Sequence, residues 1–374
     1  MRLRFEAQAM NSLLDTLKAE GYGVIGPRAR DGAIVYEPVE RADDLARGWR
    51  DEQQPGRYRL SPDERQVYFG FASSPHSWKA WLFPARERLF SATRNDAGDI
   101  AFIPEQDTAP QRAFIGVRAC DASAIASQDR IFLEGPIADR SYSSRRKNSL
   151  IVAVECTSSA ACCFCVSMRT GPNVRGGHDL ALTEVSRNGR HYFLVHAGSN
   201  AGRRILERLG ARIDLPNATP EEEQDAAALV EEAGKTQQRA IDPAAARVQL
   251  AAAFDDPAWD EIAARCVNCA NCTLVCPTCF CSTMEDTADL RGNHAERWRR
   301  WDSCFTLDHS YLHGGSVRHS AKSRYRQWLT HKLSTWWDQF GTSGCVGCGR
   351  CITWCPVAID LTQETNRIVR HEIH

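Results

Sequence analysis

Two stretches of this chain share one spacing: CVNCANCTLVCP at residues 266–277 and CVGCGRCITWCP at 345–356. Each reads Cys-x2-Cys-x2-Cys-x3-Cys-Pro. Three thiolates on so short a turn wrap one face of an iron–sulfur cube. The fourth cannot reach the same cube and ligates the other cluster. The spacing therefore predicts two crossed [4Fe-4S] sites. Cys266, Cys269, Cys272 and Cys355 hold the first, and Cys345, Cys348, Cys351 and Cys276 hold the second. Structural zinc prefers two separate Cys-x2-Cys knuckles, and three cysteines on one turn crowd a tetrahedral ion. A small βαββαβ ferredoxin has no need of the long insert between the motifs (278–344), whereas a helical dicluster domain accommodates it.

The chain holds sixteen cysteines, five before residue 255 and eleven after it. In a cytosolic protein such a count points to metal or catalysis rather than to disulfides. Cys120 follows the apolar run AFIGVR, and Cys156 follows LIVAVE. If both runs are parallel strands of one sheet, both thiols emerge at its carboxyl edge, where α/β sheets place ligands. The CCFC segment follows closely, so Cys120, Cys156, Cys163 and Cys165 can close a third cluster, with Cys162 spare. The competing reading treats these thiols as small buried hydrophobes. Cys279, Cys281 and Cys304 are further candidates. As three thiols they need His309, a water or a borrowed ligand to close a site, or else they pack around the second cluster.

With 374 residues and about 150 per domain, two or three domains are expected. The signals divide into an α/β domain over 1–250 and an α-helical dicluster ferredoxin-like domain over 251–374. Met10, Leu13, Leu14 and Leu17 form the stripe of an amphipathic helix. Asp31-Gly32 and Asn188-Gly189 mark hairpin turns. Thr219-Pro220-Glu221-Glu222 is a capping box, and Asp242-Pro243 and Asp256-Pro257 repeat the cap-then-proline signal. The proline-free stretch 292–340 reads as helical, its tryptophans forming core around the clusters. Gly21 to Gly26 spells G-x-G-x-x-G. A helix precedes it, however, where the dinucleotide fingerprint needs a strand.

Forty-six basic and forty-seven acidic residues leave a net charge of −1, so no global field recruits nucleic acid or membrane. Residues 291–334 carry a local basic excess, and an iron–sulfur nucleic-acid protein is a distant alternative. No stretch of about 18 apolar residues is present to span a bilayer. The N-terminus does not read as a signal peptide, which leads us to expect a cytoplasmic protein with no membrane and no nucleic-acid partner.

The blocks NCTLVCPTCFCSTMEDTADL, ERWRRWDSCFTLDHSYLHGG, RYRQWLTHKL and GTSGCVGCGRCITWCPVAID resemble the beta, iron–sulfur subunit of cytosolic nickel–iron sulfhydrogenases, the NAD(P)-linked hydrogenases. They are also similar to the A subunit of anaerobic sulfite reductase. PGRYRL, SWKAWLFPARERLF, GVRACDASAIASQDRIFL and CTSSAACCFCVSMRTGP extend the resemblance over nearly the whole chain. Where the family has Arg-Pro-Cys-Asp this chain has Arg118-Ala119-Cys120-Asp121, and a family proline after Cys156 is missing. The added Cys162 leaves either Cys162 or Cys163 as the third-site ligand. The resemblance implies a relay subunit with no catalytic residue of its own. It would pass single electrons between the flavin/NAD(P)-binding subunit, the small and large nickel–iron subunits and a further acceptor such as ferredoxin. The alternative within the same class is the electron-transfer subunit of a sulfite or polysulfide reductase.

Overall fold

The structure, a computed structural model, describes residues 2–106 and 108–371. Its centre is a seven-stranded sheet. The strand order is Leu3–Glu6, Arg190–Ala197, Leu180–Arg187, Ser149–Val154, Arg112–Arg118, Gly23–Arg30, Ala33–Pro38. The four inner strands from Leu180–Arg187 to Gly23–Arg30 run parallel, and antiparallel partners close both sides. The apolar runs expected as strands are buried on both faces, as parallel strands covered by helices require. Phe114, Ile151 and Ala153 face a layer containing Trp78, Ile125 and Tyr142. Ile115, Leu150 and Val152 face the opposite layer, where the helix Met10–Ala19 buries Met10, Leu13, Leu14 and Leu17.

Both hairpins turn where the sequence places them. Arg30 pairs with Ala33, and Arg187 with Arg190. The turn residues Asp31, Gly32, Asn188 and Gly189 all have φ between 50° and 75°. The glycine pair at 21 and 23 lies between the first helix and a strand, the reverse of a dinucleotide-binding turn.

The long insert departs from the helical expectation. Ser282–Ala288 and His294–Trp301 are strands of a four-stranded antiparallel sheet completed by Arg86–Arg94 and Ile100–Pro104. Helices resume only at Ala321–Thr330 and Trp336–Phe340. The reason is side-chain pairing that helical periodicity does not register. Trp298 lies under the Arg86 guanidinium and Trp301 under the Lys79 ammonium, each 3.8 Å from the ring centre. The boundary expected near residue 250 falls inside the helix Pro243–Ala252. Pairing of Arg86–Arg94 with His294–Trp301 joins the two parts of the chain in one sheet.

Candidate metal centre

The two cysteine motifs share a backbone. Asn268 and Ala270 in the first, and Gly347 and Gly349 in the second, take left-handed φ values of 52°, 65°, 65° and 76° at matching positions. In the second motif glycine is also a packing requirement. A Cβ on Gly349 would stand 2.4 Å from the Cys162 carbonyl oxygen, and one on Gly347 2.7 Å from the Cys165 Cα. The motif therefore lies directly on the CCFC loop, where the Phe164 N–H donates to the Gly347 carbonyl at 2.9 Å.

A cavity is lined by five cysteines, Cys266, Cys269, Cys272, Cys351 and Cys355. Its other walls are apolar, among them Phe305, Tyr325, Trp328 and Ile359. The Ile359 N–H donates to Cys355 Sγ at 3.3 Å. All four residues of the first crossed set line this cavity, and Cys355 arrives from the far motif. In the second set Cys345 and Cys348 are buried, and Cys276 and Cys351 are partly exposed. The Gly347 N–H donates to Cys345 Sγ at 3.4 Å. Lys332, a buried lysine, places Nζ 3.2 Å from Cys276 Sγ and also donates to Thr278 Oγ1 and the Gly344 carbonyl.

The third set stands at the carboxyl edge of the large sheet. Arg118 and Val154 are paired strand ends. Cys120 sits in the first turn of the helix Ala119–Phe132, and Cys156 lies just past Val154. Cys163 faces Cys165 and Cys156, and Cys120 faces Cys165. Gln237 Nε2 donates to Cys165 Sγ at 3.1 Å. Cys162 turns away into the apolar core beside Phe164, toward Thr353 and Arg239. Cys120, Cys165 and Cys348 pack in one buried cluster, and Cys163 lies in another with Ala72 and Ala160. The three sets are contiguous. Cys272 of the first faces Cys276 of the second, and Cys348 of the second faces Cys120 and Cys165 of the third.

Burial pushes the thiols of Cys120, Cys163, Cys272 and Cys351 well above their ordinary pKa. Ionised ligands here need a strong positive charge, which iron supplies. Among the described residues, no three His, Cys, Asp or Glu side chains converge closely enough to hold a single metal ion.

Three thiols remain, Cys279, Cys281 and Cys304. Cys279 lies near Cys276, and Cys281 lies near Cys304 and His309. The Cys304 contact, with help from His309, pulls the Cys281 thiol down to about 4.

Sequence reasoning missed the buried lysines. Lys332 and Lys79 have no motif, and their partners lie far away in sequence. Arg350, inside CVGCGRC, reads in the sequence as a cation that raises a cluster potential or meets an acidic partner, as do Arg299 and Arg300. Arg350 is fully buried and pairs with Asp121 at 2.9–3.0 Å, between the second and third cysteine sets. Arg299 is likewise committed to Glu87 and Asp139. In the basic segment Arg297 pairs with Asp286 and Lys322 with Asp260, so much of its charge is met internally.

The family of the 4Fe-4S dicluster domain matches residues 265–359. Sulfhydrogenase 2 subunit beta of Pyrococcus furiosus is 30% identical over 283 residues, covering 75% of this chain and 79% of that protein. With the dicluster domain matched and similarity reaching across most of both chains, this chain belongs to the family of the sulfhydrogenase beta subunits.

Proposed function

We propose that this chain is the electron-relay subunit of a multisubunit hydrogenase, with three [4Fe-4S] stations and no substrate-converting site of its own. When bound, each cluster takes up and gives back single electrons. The chain's residues supply the rest. Crossed thiolates fix the first two stations to each other, and apolar walls around Cys272 exclude water. N–H groups of Ile359 and Gly347 and the amide of Gln237 donate to ligand sulfurs in the three sets. Such donors stabilise the reduced, more negative state and raise its potential.

The observation that carries this reading is the contiguity of the three cysteine sets, with the Cys345 set in the middle. The order we infer is first, second, third. Cys269 is exposed and Cys345 and Cys348 are buried, so the first station is the one nearest solvent and a partner. The partners we propose are a flavin/NAD(P) subunit and nickel–iron subunits, with ferredoxin as a further acceptor.

The test is iron and acid-labile sulfide per chain on anaerobically purified protein, with EPR of the reduced form. About twelve irons are expected for three cubes, and about eight would return Cys120, Cys156, Cys163 and Cys165 to the status of buried thiols. Cys272→Ser should remove the first cluster's signal alone. Loss of both signals or of neither would refute the crossed scheme.

A further inference from the structure

We propose that the Tyr325 hydroxyl and the Trp328 indole N–H donate hydrogen bonds to sulfurs of the first cluster and so hold up its reduction potential. The proposal rests on the relay reading, since it needs a cluster held by Cys266, Cys269, Cys272 and Cys355.

The helix Ala321–Thr330 brings both side chains to one place. Arg324, Tyr325, Trp328 and Leu329 are its buried residues, the i, i+1, i+4, i+5 stripe of a helix packed on one face. Lys322 and Arg326 anchor it from outside, through Asp260 at 2.8 Å and the Phe254 carbonyl at 2.7 Å. Tyr325 and Trp328 are only 3% and 4% exposed. Their ring centres lie 5.3 Å apart, edge to face, and each meets Phe305 in the same manner, at 6.1 and 5.9 Å. Three rings packed in this way fix one another's orientation.

The polar ends are what this packing leaves unexplained. Neither Tyr325 Oη nor Trp328 Nε1 has a hydrogen-bond partner, and both atoms are shut off from solvent. Buried tyrosines and tryptophans ordinarily find a partner, because an unmet donor is costly. Both residues line the cavity that holds Cys266, Cys269, Cys272, Cys351 and Cys355. Five thiols make sulfur the dominant acceptor there, and a bound cluster adds sulfides. Position separates these donors from orphans elsewhere. Trp78 Nε1 is also buried without a partner, but its ring packs on Tyr36 and Phe114 in a core group that contains no cysteine.

A donor to sulfur stabilises the reduced cluster more than the oxidised one, because the added electron makes the sulfurs more negative. A phenol and an indole do this as neutral groups. They raise the potential without burying a charge in an apolar wall.

The experiment uses the full chain, purified anaerobically with its metal, and titrates each cluster's EPR signal against applied potential. Tyr325→Phe removes the hydroxyl and keeps the ring. At a fixed potential it should cut the ratio of reduced to oxidised first cluster on the order of tenfold, a shift of about 59 mV in a one-electron couple. Trp328→Phe should move the same cluster in the same direction, with the second and third clusters unmoved. Iron per chain is counted in the same samples. An unmoved potential at full iron overturns the proposal and leaves the relay reading standing, whereas wild-type protein without a first-cluster signal overturns both. An equal shift of all three clusters also overturns it, since that marks a loosened fold. Should a variant lose its iron, the wild-type protein decides. With 15N in its tryptophan indoles, pulsed EPR of the reduced first cluster should show a 15N coupling. Absence of that coupling means that the Trp328 N–H meets a water and not sulfur, and the proposal falls.

Discussion

A buried ammonium 3.2 Å from a thiol, as Lys332 is from Cys276, acts on whatever charge that thiol carries. Burial works against the lysine's own charge, but the thiols of Cys276, Cys279 and Cys345 around it hold the proton on. Lys332→Met should lower the potential of the second cluster by roughly 50–100 mV, the equivalent of one charge-assisted hydrogen bond in a one-electron couple. EPR-monitored redox titration checks this, with iron content unchanged. The two motifs also predict opposite responses to small residues. Ala270 holds φ 65°, so Ala270→Gly relieves strain and should stabilise by about 1 kcal/mol. Gly349→Ala drives a methyl into the Cys162 carbonyl and should prevent soluble, metal-loaded protein from accumulating. At this scale the cysteines were legible because ligand spacing is local. Lys332 was not, because its partner lies 56 residues away.

Elements were legible where a few adjacent residues decide them. Thr219 and Glu222 make the reciprocal cap of the helix Pro220–Lys235, at 3.2 and 3.0 Å. Burial opposes the Glu222 charge, but the Thr219 N–H, Arg190 and Arg4 more than offset it and hold the carboxyl at about 2. A carboxyl depressed in the fold adds stability above its unfolded pKa of about 4.3, and that contribution is lost as pH falls toward 2. Thermal melts of Glu222→Gln should therefore lie below wild type at pH 7, with the gap closing between about pH 4.5 and 2. A constant gap would show that the charge is not what stabilises this cap. The strands Ser282–Ala288 and His294–Trp301 were not legible. The second of them also pairs with Arg86–Arg94, about two hundred residues upstream, and no local pattern records that partner.

Across the molecule, the ion pair of Arg350 with Asp121 ties the second motif to the helix that carries Cys120. Both side chains are almost wholly buried. Asp121→Asn leaves an uncompensated guanidinium and should cost about 3–5 kcal/mol, seen as a lower unfolding temperature of the whole chain. Pairing it with Arg350→Met should recover part of the loss, because no buried charge then remains. Further ties cross the same seam. Ser73 Oγ donates to the Cys348 carbonyl at 2.7 Å, and Thr353 Oγ1 to Gln53 Oε1 at 2.8 Å. Composition and caps suggested a seam near 250, but these contacts pair residues some three hundred positions apart. Nothing short of the folded chain reveals them.

The placement of Cys355 beside Cys266, Cys269 and Cys272 also sets a timetable for synthesis. Between Cys276 and Cys355 lie 355 − 276 = 79 residue steps, which a ribosome takes roughly 4–16 seconds to add at about 5–20 residues per second. Through that interval the first motif is a set of reactive thiols with no lid. In the crossed scheme the cell must either shield them or deliver iron late, because the first set is incomplete until Cys355 has been made and the second until Cys351.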